Sequence, residues 1–239
     1  MQTIAILPMK SFDAAKQRLA ALLGGGSRHA LAQAMFSDVL AALRRTPGVD
    51  EVAVVTADHE AEAAVRGERV LVLPDNADAG QSAAASIGIR HAIAAGFERV
   101  LLVPGDTPLL DPVALDGLLS RSAGEGLEAV IVPDRHGTGT SALLIAPPDA
   151  LEPSFGPGSL ERHVTGAKER ELRHSVEPIE SLGHDVDTPD DLADLAAVLA
   201  EQHGVAPRTR GVLRQIERVH PGVLAGFPGT RAGETAVHA

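Results

Sequence analysis

Cysteine, tryptophan and tyrosine are absent from the sequence, and five phenylalanines are all it has of the large aromatic side chains. Without cysteine there can be no disulfide, zinc–thiolate site, iron–sulfur cluster or thiol nucleophile, and the composition suits a reducing compartment. With only 2% aromatic residues, stacking platforms for single-stranded nucleic acid are not expected. Positive charge is scarce as well. The net charge of -11 opposes a nucleic-acid backbone as partner, though not a small anion held in one local basic pocket. No apolar run approaches the ~20 residues of a membrane helix. The start, Met1-Gln2-Thr3-Ile4, lacks the basic end and long apolar stretch of a signal peptide. A soluble cytoplasmic protein is expected, with no nucleic-acid and no membrane partner.

What is present is a core: 44% of the 239 residues are apolar. Short β-branched runs fall at Thr3–Leu7, Glu51–Thr56, Arg69–Leu73, Arg99–Val103, Ala129–Val132 and Ser141–Ile145. They are continuous, as strands covered on both faces should be. Helical periodicity fills the gaps at Ser27–Arg45, Gln81–Ala95, Pro112–Ser122 and Pro189–Glu201. This alternation predicts an α/β fold with a mostly parallel sheet between helices. The segment from Gly204 to Ala239 differs. It holds five Arg and two Glu, a net +3, which leaves -14 for residues 1–203. With three prolines and no clean period beyond a short helix at Val212–Val219, it reads as a partly disordered C-terminal extension to a domain spanning 1–203.

In open α/β sheets, ligands bind beyond the carboxyl ends of strands. The first strand runs into Pro8-Met9-Lys10-Ser11-Phe12-Asp13-Ala14-Ala15-Lys16-Gln17-Arg18-Leu19. The chain has three Lys against eighteen Arg, and two of the three are Lys10 and Lys16. Compact ammonium groups suit a crowded phosphate cluster; a solvated loop accounts for them equally well. G-x-G-x-x-G and the P-loop pattern are both missing here, which weighs against a dinucleotide dehydrogenase and a P-loop NTPase. Gly24-Gly25-Gly26 comes too late for either and is expected to end one short helix and let Ser27 cap the next.

Two Asp-Thr-Pro turns stand out, at Asp106-Thr107-Pro108 and Asp187-Thr188-Pro189. Asp111, Asp190 and Asp191 are explained by helix starts. Asp106 and Asp187 precede the capping positions, and each is expected just past a strand, where Mg²⁺ could take carboxylate oxygens with phosphate and water. Asp185, two places earlier, points to the same face but deeper, and ranks below Asp187. Two glycine-rich turns follow in the second half. Gly137-Thr138-Gly139-Thr140 leads into a strand, and Phe155-Gly156-Pro157-Gly158-Ser159 into a helix near Leu160–Lys168. Each is either an ordinary turn or, through free N–H groups and the Ser159 hydroxyl, an anion cradle. Gly80-Gln81-Ser82 opens a helix with an unusually small face, which allows close approach either of a nucleobase or of the sheet.

Taken in order, Pro8-Met9-Lys10-Ser11-Phe12, Ala15-Lys16-Gln17-Arg18-Leu19, Gly105-Asp106-Thr107-Pro108-Leu109, Gly137-Thr138-Gly139-Thr140, Phe155-Gly156-Pro157-Gly158-Ser159 and Asp185-Val186-Asp187-Thr188-Pro189 resemble the 2-phospho-L-lactate (or phosphoenolpyruvate) guanylyltransferases of coenzyme F(420) biosynthesis. The resemblance covers about Met1 to Leu199. It implies a Rossmann-like nucleotidyltransferase fold of the GT-A-like kind, a three-layer sandwich on a mostly parallel mixed sheet. It also implies GTP, Mg²⁺ and a small phosphorylated carboxylic acid. By position, Thr140, Gly156 and Ser159 would bind the acid. Lys10, Lys16 and Arg18 would meet the triphosphate, with Gly80, Gln81 and Ser82 on the GTP side. Asp106 and Asp187 would hold the metal, and with Lys16 they would form the catalytic set. The related molybdenum-cofactor enzymes carry a Gly-rich, Arg-Met-Gly first loop, and Pro-Met-Lys-Ser-Phe moves this chain away from them.

The chemistry agrees with these residues. A phosphate monoester is already ionised at neutral pH, so no strong general base is required. The barrier is repulsion between anions, lowered by cations and in-line positioning. Another cofactor or sugar-phosphate nucleotidyltransferase, and a non-catalytic nucleotide-binding protein on the same fold, remain open at this point, as does a homodimer.

Overall fold

The computed structural model describes residues 1–13 and 15–224. Seven strands form one sheet: β1 (Thr3–Met9), β2 (Glu51–Thr56), β3 (Leu71–Pro74), β4 (Arg99–Leu102), β5 (Ala129–Pro133), β6 (Thr140–Ile145) and β7 (His174–Val176), in the order β3-β2-β1-β4-β6-β5-β7. Only β6 runs against the others; it pairs antiparallel with both β4 and β5. The helices are α1 (Gly25–Leu43), α2 (His59–Ala64), α3 (Gln81–Ala95), α4 (Pro112–Glu125), α5 (Ser159–Glu169), α6 (Pro189–Glu201) and α7 (Pro207–Val219).

The period-two geometry of β1 divides the core. Ala5 and Leu7 point toward α1 and α4, among Phe36, Val39, Leu115 and Leu118. Ile4 and Ile6 point the other way, toward α3 and α5. All six expected strands are present. β7 escaped the sequence pattern because it is a three-residue edge strand with no buried side chain, and α2, six residues long, is too short for its period to register.

The small face of α3 serves the sheet. Ala85, Ala92 and Gly88 are buried, and a Cβ at Gly88 would lie 2.5 Å from the Ile6 side chain. Ile6 is fully buried and has nowhere to go. Gly88→Val is therefore expected to cost about 1–3 kcal/mol of overpacking, read as a lower thermal unfolding midpoint; an unchanged midpoint would show that the helix can slide off the sheet.

Two local expectations are corrected. Gly24, not Ser27, occupies the cap position of α1, and Ser27 lies inside the helix. The compact domain also continues past residue 203. Leu213, Ile216 and Leu224 are buried with Leu31 and Met35 of α1 and Leu192, Leu195 and Leu199 of α6. The buried Asp38 carboxylate of α1 accepts the N–H groups of Arg208 (3.3 Å) and Thr209 (2.8 Å), capping α7 from a neighbouring helix. The apolar spacing of α7 was read only from Val212, because its first turn is polar. The rest of the expected extension, from residue 225 on, lies outside the described residues.

Candidate active site

The sheet order reverses between β1 and β4, so the connections leaving their carboxyl ends part and leave a crevice. The crevice has two lobes. The smaller, about 250 Å³, lies between the loop after β1 and the start of α3, against Lys10, Lys16, Gly80 and Gln81. The larger, about 610 Å³, lies against the β5–β6 turn and the start of α5. Gln81, Pro104, Asp106 and Asp187 line both and so form the junction.

Phe12 folds the loop after β1. Its ring is fully buried edge-on against Phe36 (5.6 Å) and His29 (5.7 Å), and its N–H donates to Asp58. That anchor lets Lys16, with a φ of 57°, return its ammonium to the junction. Lys16 Nζ donates to Asp106 Oδ2 at 2.6 Å and to Asp187 Oδ1 at 3.1 Å. Its side chain is 6% exposed. Burial alone would lower its pKa, but the two carboxylates outweigh that and hold it above the ordinary lysine value. Lys10 lines the smaller lobe and is exposed. Arg18, expected beside it, instead lines the larger lobe.

Asp106 follows β4 by a short turn, as expected. Asp187 does not follow a strand: it precedes α6, after a single 3₁₀ turn at Glu180–Leu182. It is held there by the helix cap. Thr188 and Asp191 form a reciprocal capping box, and Asp191 also accepts the Asp187 N–H at 2.9 Å. Arg135, from the β5–β6 turn, pairs with Asp191 and donates to Asp194 at 2.7 Å, fastening that turn to α6. Asp185 lines the larger lobe. Burial, with Asp106 and Asp187 nearby, pushes its carboxyl up to about 6. The junction thus concentrates negative charge around one buried ammonium.

Thr140, Gly156 and Ser159 do converge, on the wall of the larger lobe. Their donors are fewer than the sequence suggested. Gly139 N–H is used by Asp134 (2.9 Å), Ser159 N–H by Gly156 O (3.0 Å) and Leu160 N–H by Thr138 O (3.3 Å). The hydroxyls of Thr140 and Ser159 remain among the polar groups on this wall, beside that of Ser141, which is buried without a hydrogen-bond partner. Gly156 has a φ of 108° and open space where a Cβ would stand, so it is required by backbone conformation. Ser82, expected on the GTP side, lines neither lobe; its hydroxyl accepts the Phe155 N–H at 2.8 Å and fixes the Phe155–Ser159 turn. Arg162 braces the same turn through the carbonyls of Ser154 (2.9 Å) and Pro157 (2.5 Å).

Three functional candidates were not singled out beforehand: Arg135, Arg162 and His163. Only His163 left a trace, standing four residues after Ser159 and so on the same helix face. Among the described residues no group of three or more acidic or histidine side chains forms a ready metal cage. Asp106 and Asp187 could hold a divalent ion only if other oxygens completed its shell.

A family model described as "Guanylyl transferase CofC like" matches residues 3–221. The chain is 50% identical to a phosphoenolpyruvate guanylyltransferase of Conexibacter woesei, over 92% of this chain and 99% of that one. It is 31% identical to a 2-phospho-L-lactate guanylyltransferase of Methanothermobacter thermautotrophicus, over 90% and 92%. Among solved structures, a protein described as a nucleotide-diphospho-sugar transferase, from Desulfovibrio desulfuricans G20, superposes with a TM-score of 0.74 at 16% identity, covering 92% of this chain and 97% of that one. A nucleotidyl transferase from Methanothermobacter thermautotrophicus gives 0.57 at 21% identity, over 81% and 95%. These structures share the fold, the Rossmann-like nucleotidyltransferase sandwich expected from the sequence. On the match of the family model from β1 through α7, and of these relatives over almost the same span, the chain belongs to the CofC-like guanylyl transferase family.

Proposed function

We propose that the chain transfers the guanylyl group of GTP to the phosphate of phosphoenolpyruvate, releasing pyrophosphate, as a step of coenzyme F(420) biosynthesis. The observation that carries this is the two-lobed crevice with Asp106, Asp187 and Lys16 at the junction, where two anionic substrates would meet. The 50% identical relative is named for phosphoenolpyruvate, which supports that acceptor over 2-phospho-L-lactate. No helix among the described residues is long and apolar enough to cross a membrane, and we place the reaction in the cytoplasm.

GTP takes the smaller lobe, with Lys10 beside its phosphates and Gln81 at the boundary. The acid takes the larger lobe, held by Thr140, Ser159 and Arg18. A phosphate oxygen of the acid attacks the α-phosphorus; a new P–O bond forms, the α–β bridging bond breaks, and pyrophosphate leaves with that electron pair. No proton need move, because the acceptor oxygen is already ionised. The donor set at the junction fits Mg²⁺, which binds through one or two carboxylates and otherwise keeps phosphate and water oxygens. Asp106 and Asp187 would hold it, and it would supply charge stabilisation of the transferring phosphoryl group. Lys16, whose ammonium lies at the junction, would meet the triphosphate there.

Pyrophosphate release tests the reading, with GTP, ATP, CTP or UTP offered against phosphoenolpyruvate, 2-phospho-L-lactate or 3-phosphoglycerate. Release is expected with GTP and phosphoenolpyruvate together. Release that ignores the acceptor, or that follows another nucleotide, would overturn it.

A further inference from the structure

We propose that His163 is a positioning residue that makes the Thr140 hydroxyl a hydrogen-bond donor to the acceptor acid. This rests on the larger lobe being the acceptor site. His163 is 1% exposed, one helical turn into α5. Both ring nitrogens are engaged. The Ser154 N–H donates to Nε2 at 2.8 Å. A backbone N–H cannot accept, so Nε2 must carry the lone pair and the ring proton must sit on Nδ1. Nδ1 lies 2.9 Å from Thr140 Oγ1. The hydroxyl oxygen therefore accepts from the ring, and its own hydrogen is left for another partner.

The larger lobe offers that partner a place. Thr140 lines the larger lobe together with Gly156 and Ser159. A hydroxyl that accepts from the ring cannot spend its own hydrogen on that ring, so the hydrogen is available to an anionic phosphate or carboxylate. Left alone, a threonine hydroxyl rotates and serves as donor or acceptor. The relay from Ser154 N–H through the imidazole fixes one accepted bond and turns the hydroxyl hydrogen away from the ring. Phe155 fixes the ring plane edge-on at 5.4 Å. Burial, with the Arg162 charge beside it, pushes the His163 pKa down to about 4, which keeps the ring neutral and able to accept from Ser154. Arg162 and Ser82 hold the 154–157 backbone to which the relay is tied.

The tautomer is read directly in the unmodified protein by ¹⁵N NMR of the imidazoles at neutral pH. A protonated Nδ1 and a bare Nε2 are expected for His163; an Nε2–H tautomer or an imidazolium overturns the proposal. A double-mutant cycle supplies the functional arm. His163→Phe and Thr140→Val are each expected to raise the phosphoenolpyruvate KM about tenfold or more with the GTP KM unchanged. The double variant should lose no more than Thr140→Val alone. His163→Asn, which can keep a donor near the Nδ1 position, should restore most of the affinity and guards against a His163→Phe that fails to fold. If His163→Phe costs as much in the Thr140→Val background as in the wild type, the ring is merely structural. Absence of transfer by the wild-type chain would instead remove the acceptor reading itself, and is seen before any variant is compared.

Discussion

Asp106→Asn and Asp187→Asn will each lower guanylyl transfer by at least ~100-fold, the scale of losing charge stabilisation at a transferring group, while the protein stays folded. Asparagine keeps the shape and the oxygen but not the charge that a divalent cation and Lys16 both need. Neither carboxylate is fully buried; Asp106 is 29% exposed and Asp187 51%, and each single variant leaves the buried Lys16 ammonium the other carboxylate as its partner. Steady-state turnover across a Mg²⁺ titration, beside thermal melts, separates the two effects. Near-normal Mg²⁺-dependent rates in both variants would defeat the metal assignment and leave the carboxylates as partners of Lys16 alone.

Lys16→Ala is the second large effect, and it acts in two directions. The kcat/KM for GTP should fall roughly 100-fold, as when one donor to a developing charge is removed, with the phosphoenolpyruvate KM little changed. Meanwhile the nucleotide-free protein should bind Mn²⁺ more tightly. Lys16 Nζ lies between Asp106 and Asp187, where it satisfies the carboxylates and competes with any divalent cation. Removing it exposes their full charge. Lys168→Ala, on the exposed last turn of α5, is the matched control and should change neither quantity. An unchanged kcat/KM for GTP would return Lys16 to a structural role.

Why the Asp and Lys positions were legible and the relay was not has a physical answer. Asp106 and the loop lysines lie in connections just beyond strands and Asp187 just before a helix, where residue type suggests chemistry and spacing to the helix start separates these carboxylates from the caps. Six of the seven strands followed from continuous β-branched runs; their order did not. His163 lies inside a helix, and its meaning depends on which backbone N–H comes to its far nitrogen. That N–H belongs to Ser154, brought there by a turn pinned from α3 through Ser82. No local pattern encodes such a meeting. The same holds for α7, whose cap is a carboxylate 170 residues earlier in the chain. The glycine-rich turns were legible in position but not in their donors: the spacing suggested free N–H groups, and the folded turns use several of them internally.

The reversed direction of β6 has a consequence for how such a protein can change. A strand running with the sheet delivers its last residue to the crevice; β6 delivers its first, Thr140, through a hairpin from β5 that needs no crossover helix. On the proposed assignment the acceptor wall hangs on the short turn from Asp134 to Gly139 and on the start of α5, while the nucleotide wall comes from the loop after β1 and from α3. The two walls share only junction residues. Under that assignment, a change in the length or side chains of the hairpin turn would alter the acid accepted without disturbing the lobe proposed for the nucleotide. Choice of acceptor and choice of nucleotide would then be separable in this architecture, and a graft of residues 134–140 and 154–163 between relatives should carry the first without the second.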